Sequence, residues 1–598
     1  MTTALVFSFV AKALFVVMFG MNVAVILTWV DRRQGAVIAD RVGPNRAVIW
    51  LPRRLAQGMV AGPALLLAVG VIAFFLTNKA EGVERMGRAL LFTHLAILAT
   101  WLTGLAIAGR VRARGVNAEA GAVVANLDRF FAWLGDPRIF VYAGLGAHAV
   151  TLLASGLLRG TTTGTSLREV AYGASPAIFA VAVAGGAVYA ASSFTEDRVG
   201  LRLFGLLHPA ADGLKTMFKE DFVPPNADRF LHSLAPFISF FPALVVLAVV
   251  PFGDTLCFGD KGGKIDFGSL ARTVPREGLC TDGAVALQVV DVNVGILYFF
   301  ALAGTGIVGA ALAGWASDNK YSLLGGLRAA SQMVSYEVTL GLTLIGAIMV
   351  YGTLRIDEMV RWQAENTWGL FVQPVAFFLF FAAAVAESKR IPFDIPEGES
   401  EIVAGYFTEY SGMKFAMFFF AEYVAVVASS ALMAAIFLGG WALPFIERDG
   451  IYLAIGDTVL VRQSLTHLSV VLLGVLAFVG KTLLLCWLQI TIRWTLPRFR
   501  YDQLMRLGWR KLLPASLVNI LVTGLIILAI ASASPSVMNA LRIAGDMTEL
   551  LVAVLGIVAL GALVRFVLAP AEKKRMVVSS AQKFAAALGG VKSARMGA

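Results

Sequence analysis

The stretch AESKRIPFDIPEGESEIVAGYFTEYSGMKFAMFFFAEY, residues 386–423, decides how the rest of the chain is read. It is acidic, interrupted by Pro392 and Pro396, and lies between two long apolar runs. A solvated loop accounts for the charge at its start. It does not account for Glu422, which follows the unbroken apolar run 415–421 and so falls at lipid depth on a helix. Ionisable groups at that depth are costly, and the default reading of one is a functional site such as a proton relay.

Working outward, the 598 residues are 58% hydrophobic and 15% charged, with the charges clustered between apolar runs. That composition places the chain among polytopic, all-α membrane proteins rather than soluble domains. The formal charge of +11 is not arranged as a basic stripe interleaved with aromatics, so no nucleic-acid partner is expected. The N-terminal apolar run has no basic region before it and continues past the length of a signal peptide, which predicts a retained first helix. Cys257 and Cys280 share one polar loop, either as free thiols or as a disulfide if that loop faces an oxidising compartment, while Cys486 falls in an apolar run.

With roughly twenty apolar residues per crossing, about thirteen spans are expected. They centre near residues 19, 67, 99, 149, 183, 243, 303, 342, 378, 427, 478, 523 and 558. Lys and Arg resist translocation, and an external N-terminus gathers Arg32, Arg33, Arg41, Arg46, Arg110, Arg112, Arg493, Arg498 and the tail residues Lys573 and Lys574 on the inner face. The acidic loop and the C-terminal tail are then cytoplasmic, and the N-terminus and the loop holding Cys257 and Cys280 periplasmic. Residues 201–221 pattern as an amphipathic interfacial helix whose start His208-Pro209 should break. Residues 494–511, basic and aromatic, read as an interfacial anchor.

Within the acidic loop a helix beginning after Pro396 would roughly align Glu397 and Glu401, with Asp394 ahead of them and Glu399 pointing elsewhere. Packed carboxyls raise one another's pKa and can share a proton, although Lys389, Arg390 and Lys414 could equally neutralise them as a surface patch. Glu337, Glu422 and Lys481 each interrupt an apolar run on a separate helix, where facing one another or a wet cavity is the expected arrangement. No metal-ligand spacing, phosphate loop or nucleophile elbow occurs, and the five histidines are scattered. Residues alone leave a membrane protein with an ionisable interior, open to a reading as a stand-alone proton-coupled transporter.

Five motifs go further. Residues 386–423 resemble the signature loop of the H-type membrane subunits of NADH:quinone oxidoreductase, respiratory complex I. So do DRRQGAVIADRVGPNR at 31–46, GLLHPAADGLKTMFKED at 205–221, NKYSLLGGLRAASQMVSYEV at 319–338 and IRWTLPRFRYDQLMRLGWRK at 492–511, all in family order. The resemblance implies a cofactor-free component of an inner-membrane, proton-translocating complex, with quinone as substrate and flavin and iron–sulfur clusters in partner chains. It further implies that the isolated chain is not catalytic. The implied partners are the peripheral-arm quinone-site and iron–sulfur subunits and the small and antiporter-like subunits of the membrane arm. By motif, Arg41, Arg46, Asp212, Arg390, Asp394, Glu397, Glu399 and Glu401 would belong to the quinone chamber and its loop. Glu337, Glu387, Glu409 and Glu422, with Lys481, would begin a proton path.

The chain departs from that family in carrying Asp31 where Glu is usual and His208 where Gln is usual. It also carries an insertion, expected as about four spans. The division expected is 1–54 as the start of an eight-helix core, 55–200 inserted, 201–533 as the remaining core, and 534–598 as an extra helix and basic tail. The related membrane subunit of energy-converting hydrogenases is the alternative within the superfamily, and RVGPNR and FRYDQLM favour the quinone enzyme.

Overall fold

The structure is a computed structural model that describes residues 2–39, 43–44, 49–77, 198–201, 205–257, 259–261, 264–266, 284–455, 458–464 and 467–568. The chain forms two compact units, Met1–Val48 with Arg202–Ile557 and Ile49–Leu201 with Val558–Ala598. In the second, the described elements are strand β1 (Ile49–Pro52), helix α2 (Arg53–Thr77), and strand β2 (Arg198–Leu201) antiparallel to β1, besides the end of the last helix. The expected spans near 99, 149 and 183, the basic tail, Arg41 and Arg46 lie outside the described residues.

The first unit is a helical bundle. Its long members are α1 (Thr2–Ile38), α4 (Arg229–Val245), α5 (Gly295–Ala316), α6 (Lys320–Tyr351), α11 (Gly412–Phe437), α12 (His467–Thr495) and α14 (Leu513–Ala531), the last continuous with α13 (Tyr501–Leu507). Between them lie the surface helix α3 (Leu207–Met217), short helices α7 (Ile356–Glu365), α8 (Gly369–Val372), α9 (Pro374–Glu387) and α10 (Glu399–Ile402), and finally α15 (Pro535–Leu568). Among the described residues 7 helices are long and apolar enough to cross a membrane, fewer than the thirteen expected. The span expected near 378 is one shortfall. Pro374 starts α9 and the charged run after Glu387 ends it, leaving 14 residues, or ~21 Å of helix against ~30 Å of hydrocarbon.

Helix α11 is the most enclosed of the seven, with every residue from Ala421 to Phe437 except Ala425 buried. Its sequence alternates aromatics with Ala, Ser and Val, and small side chains let neighbouring backbones approach. Helices α1, α4, α9 and α12 pack around it. The same principle holds α5 against α6, where a Cβ on Gly314 would stand 2.6 Å from the Ser322 carbonyl.

The loops contain antiparallel β-structure that an all-α expectation leaves out. After α11 comes a three-stranded meander, β3 (Ile446–Glu447), β4 (Gly450–Ile455) and β5 (Thr458–Ser464), pairing Ile451 with Gln463 and Leu453 with Val461. Helix α3 also differs from expectation. Pro209 sits within its first turn, where the missing N–H has no intrahelical partner to lose, so the helix begins at Leu207 rather than breaking there. Cys257 is disulfide-bonded and Cys486 is a buried free thiol, while Cys280 lies outside the described residues.

The acidic loop crosses α6 closely, a Cβ on Gly325 of α6 standing 2.6 Å from Gly405 Cα, and it also crosses itself at Gly405. Gly405 has φ +56°, and a Cβ there would meet the Pro396 carbonyl oxygen at 1.7 Å. Gly405→Ala should therefore destabilise the fold by about 3 kcal/mol or more. Gly341→Ala, inside α6 with open space at the Cβ position, should be neutral or stabilise by up to about 1 kcal/mol. Thermal unfolding of the two variants in the purified complex checks the contrast.

Candidate functional site

The loop between α9 and α11 folds back into the bundle instead of standing in solvent. Gln332 on α6 is fully buried, and its Nε2 donates to the carbonyls of Ala386 at 2.7 Å and Phe393 at 2.8 Å. The expected helix after Pro396 is a single turn, α10, starting only at Glu399. Glu397 and Glu401 consequently do not align on a helix. Glu401 reaches outward to Arg328 at 2.7 Å, Asp394 pairs with Arg498 at 2.7 Å, and Glu397 turns inward. Lys414, expected as a counter-charge for the loop, pairs with Asp221 at 3.0 Å.

Glu422, 2% exposed, is the centre of the buried charge. The Tyr406 hydroxyl donates to its Oε1 at 3.1 Å, and the Lys389 ammonium donates to Tyr406 Oη at 3.2 Å. Arg390 stands 3.1 Å from Glu422 Oε2 as an ion pair whose angles do not make a hydrogen bond. The Arg390 guanidinium also lies over the Tyr423 ring at 4.0 Å and the Phe419 ring at 5.3 Å. A cavity of about 70 Å³ opens beside these groups, with Glu387, Lys389 and Glu422 in an otherwise largely apolar wall from α4, α5, α6, α9 and α11. At ~10–15 Å³ per water it has room for several waters. Glu337 lies at the edge of this wall, its carboxyl packed on Gly304 so closely that a Cβ there would be 2.8 Å from Oε1.

A second buried carboxylate stands on the other side of Arg390. Asp31 on α1 is 5% exposed and accepts hydrogen bonds from Tyr423 Oη at 2.8 Å, Trp494 Nε1 at 2.8 Å and the Arg493 guanidinium. Arg390, Tyr423, Asp31 and Arg493 line one small cavity. A continuous string of ionisable and hydroxyl groups thus runs from Lys389 through Tyr406, Glu422, Arg390 and Tyr423 to Asp31 and Arg493.

Burial dominates the protonation equilibria of the loop. It pushes Asp394 up to about 6, with the Arg498 charge opposing and the Glu422 charge adding. Glu397 is raised well above the usual carboxylate range by burial and then by the Glu422 and Asp394 charges. Burial lowers the Lys389 ammonium, partly offset by Glu422. For Arg390 burial also opposes the charge, but Glu422 outweighs it and the guanidinium is held protonated. The loop therefore combines carboxyls that bind protons far above their ordinary range with a fixed positive charge.

The other sequence-derived candidates are distributed around this cluster. Glu409 accepts from Asn319 Nδ2 at 2.7 Å, and Asn319 in turn caps α6. Asp212 on α3 forms an exposed pair with Arg32 at 2.5 Å. Glu399 lies at the start of α10. Lys481 is not brought to the cluster. Its Nζ donates to the carbonyls of Gly440 at 3.0 Å and Ala442 at 2.6 Å and lies 4.2 Å from the Trp368 ring centre, beyond the far end of α11. Tyr406, Tyr423, Arg493, Trp494 and Arg498 are site residues that the sequence does not single out. Arg493, Trp494 and Arg498 fall in the family motif at 492–511, and the two arginines also in the inner-face charge pattern, but neither signal ties them to Asp31 or to the acidic loop.

Comparison with known proteins follows the same region. A family model described as NADH dehydrogenase matches residues 170–524. The chain is 42% identical over 340 residues to the first H-type subunit of the NADH-quinone oxidoreductase of Cytophaga hutchinsonii, covering 56% of this chain and 89% of that protein. It is 45% identical over 323 residues to the second H-type subunit of the Geobacter metallireducens enzyme, covering 54% and 83%. It is 41% identical over 345 residues to the H-type subunit of the Flavobacterium psychrophilum enzyme, covering 56% and 89%.

Asp394 gives a pH signature. A carboxyl raised in the folded state contributes stability that is full below its unfolded value of about 4 and is lost as the pH rises through about 6. Asp394→Asn should reduce the fall in stability between pH 4 and pH 7 by on the order of 2 kcal/mol. Denaturation midpoints of the two proteins across that range check it, and parallel curves would contradict it.

Proposed function

The chain belongs to the NADH dehydrogenase family, as an H-type membrane subunit of NADH-quinone oxidoreductase, and from that premise we propose that it walls the quinone chamber and starts the proton path of the complex. The observation that carries this reading is the buried Glu422 carboxylate, held between Arg390 and the Lys389–Tyr406 pair and opening on a cavity with room for water. The loop residues Arg390, Asp394, Glu397, Glu399 and Glu401, with Asp212, Arg41 and Arg46, form the chamber side. Glu422, Glu387, Glu337 and Glu409 form the path. Asp31, Tyr423 and Arg493 join the two. Lys481 serves instead as a cation at the end of α11.

Reducing a quinone adds negative charge that protons must neutralise. Next to the loop, in a medium of low dielectric, that charge raises the proton affinity of Asp394 and Glu397 and loosens the hold of Arg390 on Glu422. A proton can then pass through Tyr406 or cavity water toward Glu387 and Glu337. The chain supplies no electron carrier in this scheme. Flavin and iron–sulfur clusters belong to peripheral-arm partners, and the antiporter-like membrane subunits receive the protonic signal. The complex lies in the bacterial inner membrane, with the acidic loop on the cytoplasmic face and the N-terminus on the periplasmic face. Residues 55–200 and 534–598 are additions to a core made of 1–54 and 201–533.

Replacing the central carboxyl tests the scheme. Glu422→Gln should leave the complex assembled, by native electrophoresis and iron–sulfur content, while lowering proton-coupled quinone reduction roughly tenfold or more. Turnover and pumping at wild-type levels in both Glu422→Gln and Glu337→Gln would remove these residues from the path.

A further inference from the structure

We propose that Gln489 is a further positioning residue of the proton path, holding one buried water that ties Arg390 to Asp31. Its role in turnover rests on the reading of Glu422 given above, whereas the water site stands on geometry. Gln489 lies in the apolar part of α12, one turn before Arg493 and so on the same face. It is 5% exposed, and its Nε2 donates to Ser430 Oγ of α11 at 2.9 Å. That bond leaves the amide oxygen for the small cavity that Gln489 lines together with Asp31, Arg390, Tyr423 and Arg493. The oxygen is buried and accepts no hydrogen bond from the chain.

The cavity has a volume of about 20 Å³, room for one water at ~10–15 Å³ each. Its walls supply both kinds of partner. Arg390 and Arg493 each carry a buried Nε–H with no acceptor, while Gln489 Oε1 and the Asp31 carboxylate are acceptors. Water donates and accepts, and about three such partners are what a buried water ordinarily has. Two guanidinium groups repel a cation there, and the Asp31 carboxylate repels an anion. The unpartnered atoms are closed off within the chain itself, so a neighbouring subunit does not reach them. Among the described residues no hydrogen bond joins Arg390 to Asp31; the guanidinium lies over the Tyr423 ring, whose hydroxyl donates to Asp31. The water closes that gap. It gives Arg390 a tie to Asp31 that competes with Glu422, so the Gln489 amide sets how firmly Arg390 holds Glu422.

The purified complex carrying the full chain tests both parts. An electron cryo-microscopy map sharp enough to show ordered water should contain one water among Arg390, Gln489 and Asp31 in wild type and none in Gln489→Leu. Gln489→Leu should assemble and lower kcat for quinone reduction roughly fivefold, the equivalent of one hydrogen bond lost from the path, with KM for quinone unchanged. Gln489→Glu keeps an acceptor at the same reach and should recover the water and most of the rate, a rescue that a purely structural role does not predict. No water in wild type, the same water in Gln489→Leu, or a wild-type kcat in Gln489→Leu would overturn the proposal. If Gln489→Leu does not assemble, Gln489→Met is judged by the same outcomes. A full rate in Gln489→Leu beside a slow Glu422→Gln removes this proposal alone, whereas a full rate in Glu422→Gln removes the path reading and leaves the water to the map.

Discussion

Glu422 lies in the most enclosed helix of the bundle, and almost every unusual feature around it answers the cost of keeping a charge there. An isolated carboxylate taken out of water costs several kcal/mol even after relaxation, and a lone partner in poor geometry does not repay it. Arg390 supplies the charge and Tyr406 the hydrogen bond, and both come from a loop that has to enter the bundle to reach it. The entry demands a tight backbone crossing, which Gly405 and Gly325 allow because neither carries a Cβ. It also leaves buried carbonyls, which Gln332 satisfies from α6. Removing any one of these supports exposes the same desolvation cost.

The cluster is not saturated, and that separates it from a structural ion pair. The Arg390–Glu422 contact is close but not a hydrogen bond, Asp394 has one unpaired buried oxygen, and a cavity adjoins Glu387 and Lys389. Groups arranged in this way can exchange partners, or a proton, at small cost. The Asp31 cage on the far side of Arg390 differs in being densely bonded by Tyr423, Trp494 and Arg493. One guanidinium therefore lies between a rigid carboxylate and an adaptable one, so a charge change in the loop has one direction in which to be felt.

Much of this was legible in the residues. The depth of Glu422 in an apolar run, the five motifs in order and the apolar runs of the described core all point to the membrane bundle and to the loop as its special feature. What spacing could not give was which charge meets which. Asp394, Glu397 and Glu401 look like one face of a helix, but Pro396 and Gly398 delay the helix to a single turn and the three carboxyls separate. Lys481 looks like a partner for carboxyls because it is a lone cation in an apolar run. It is instead used by the carbonyls that follow the end of α11. The meander was in principle readable, since IYLAI at 451–455 and TVLVRQS at 458–464 are strand-like runs close together in sequence, but the apolar bias of the whole chain hides a short β signal. Asp31 shows the remaining limit, because its partners are 392 and more positions away.

In the proposed proton path, Glu422 and its neighbours change protonation or hydrogen bonding when quinone is reduced. Infrared difference spectroscopy of the complex, recorded on quinone reduction in H2O and in D2O, measures this directly. A carboxyl C=O band that shifts in D2O and disappears in Glu422→Gln is the predicted result. A difference spectrum identical in wild type and Glu422→Gln would contradict it.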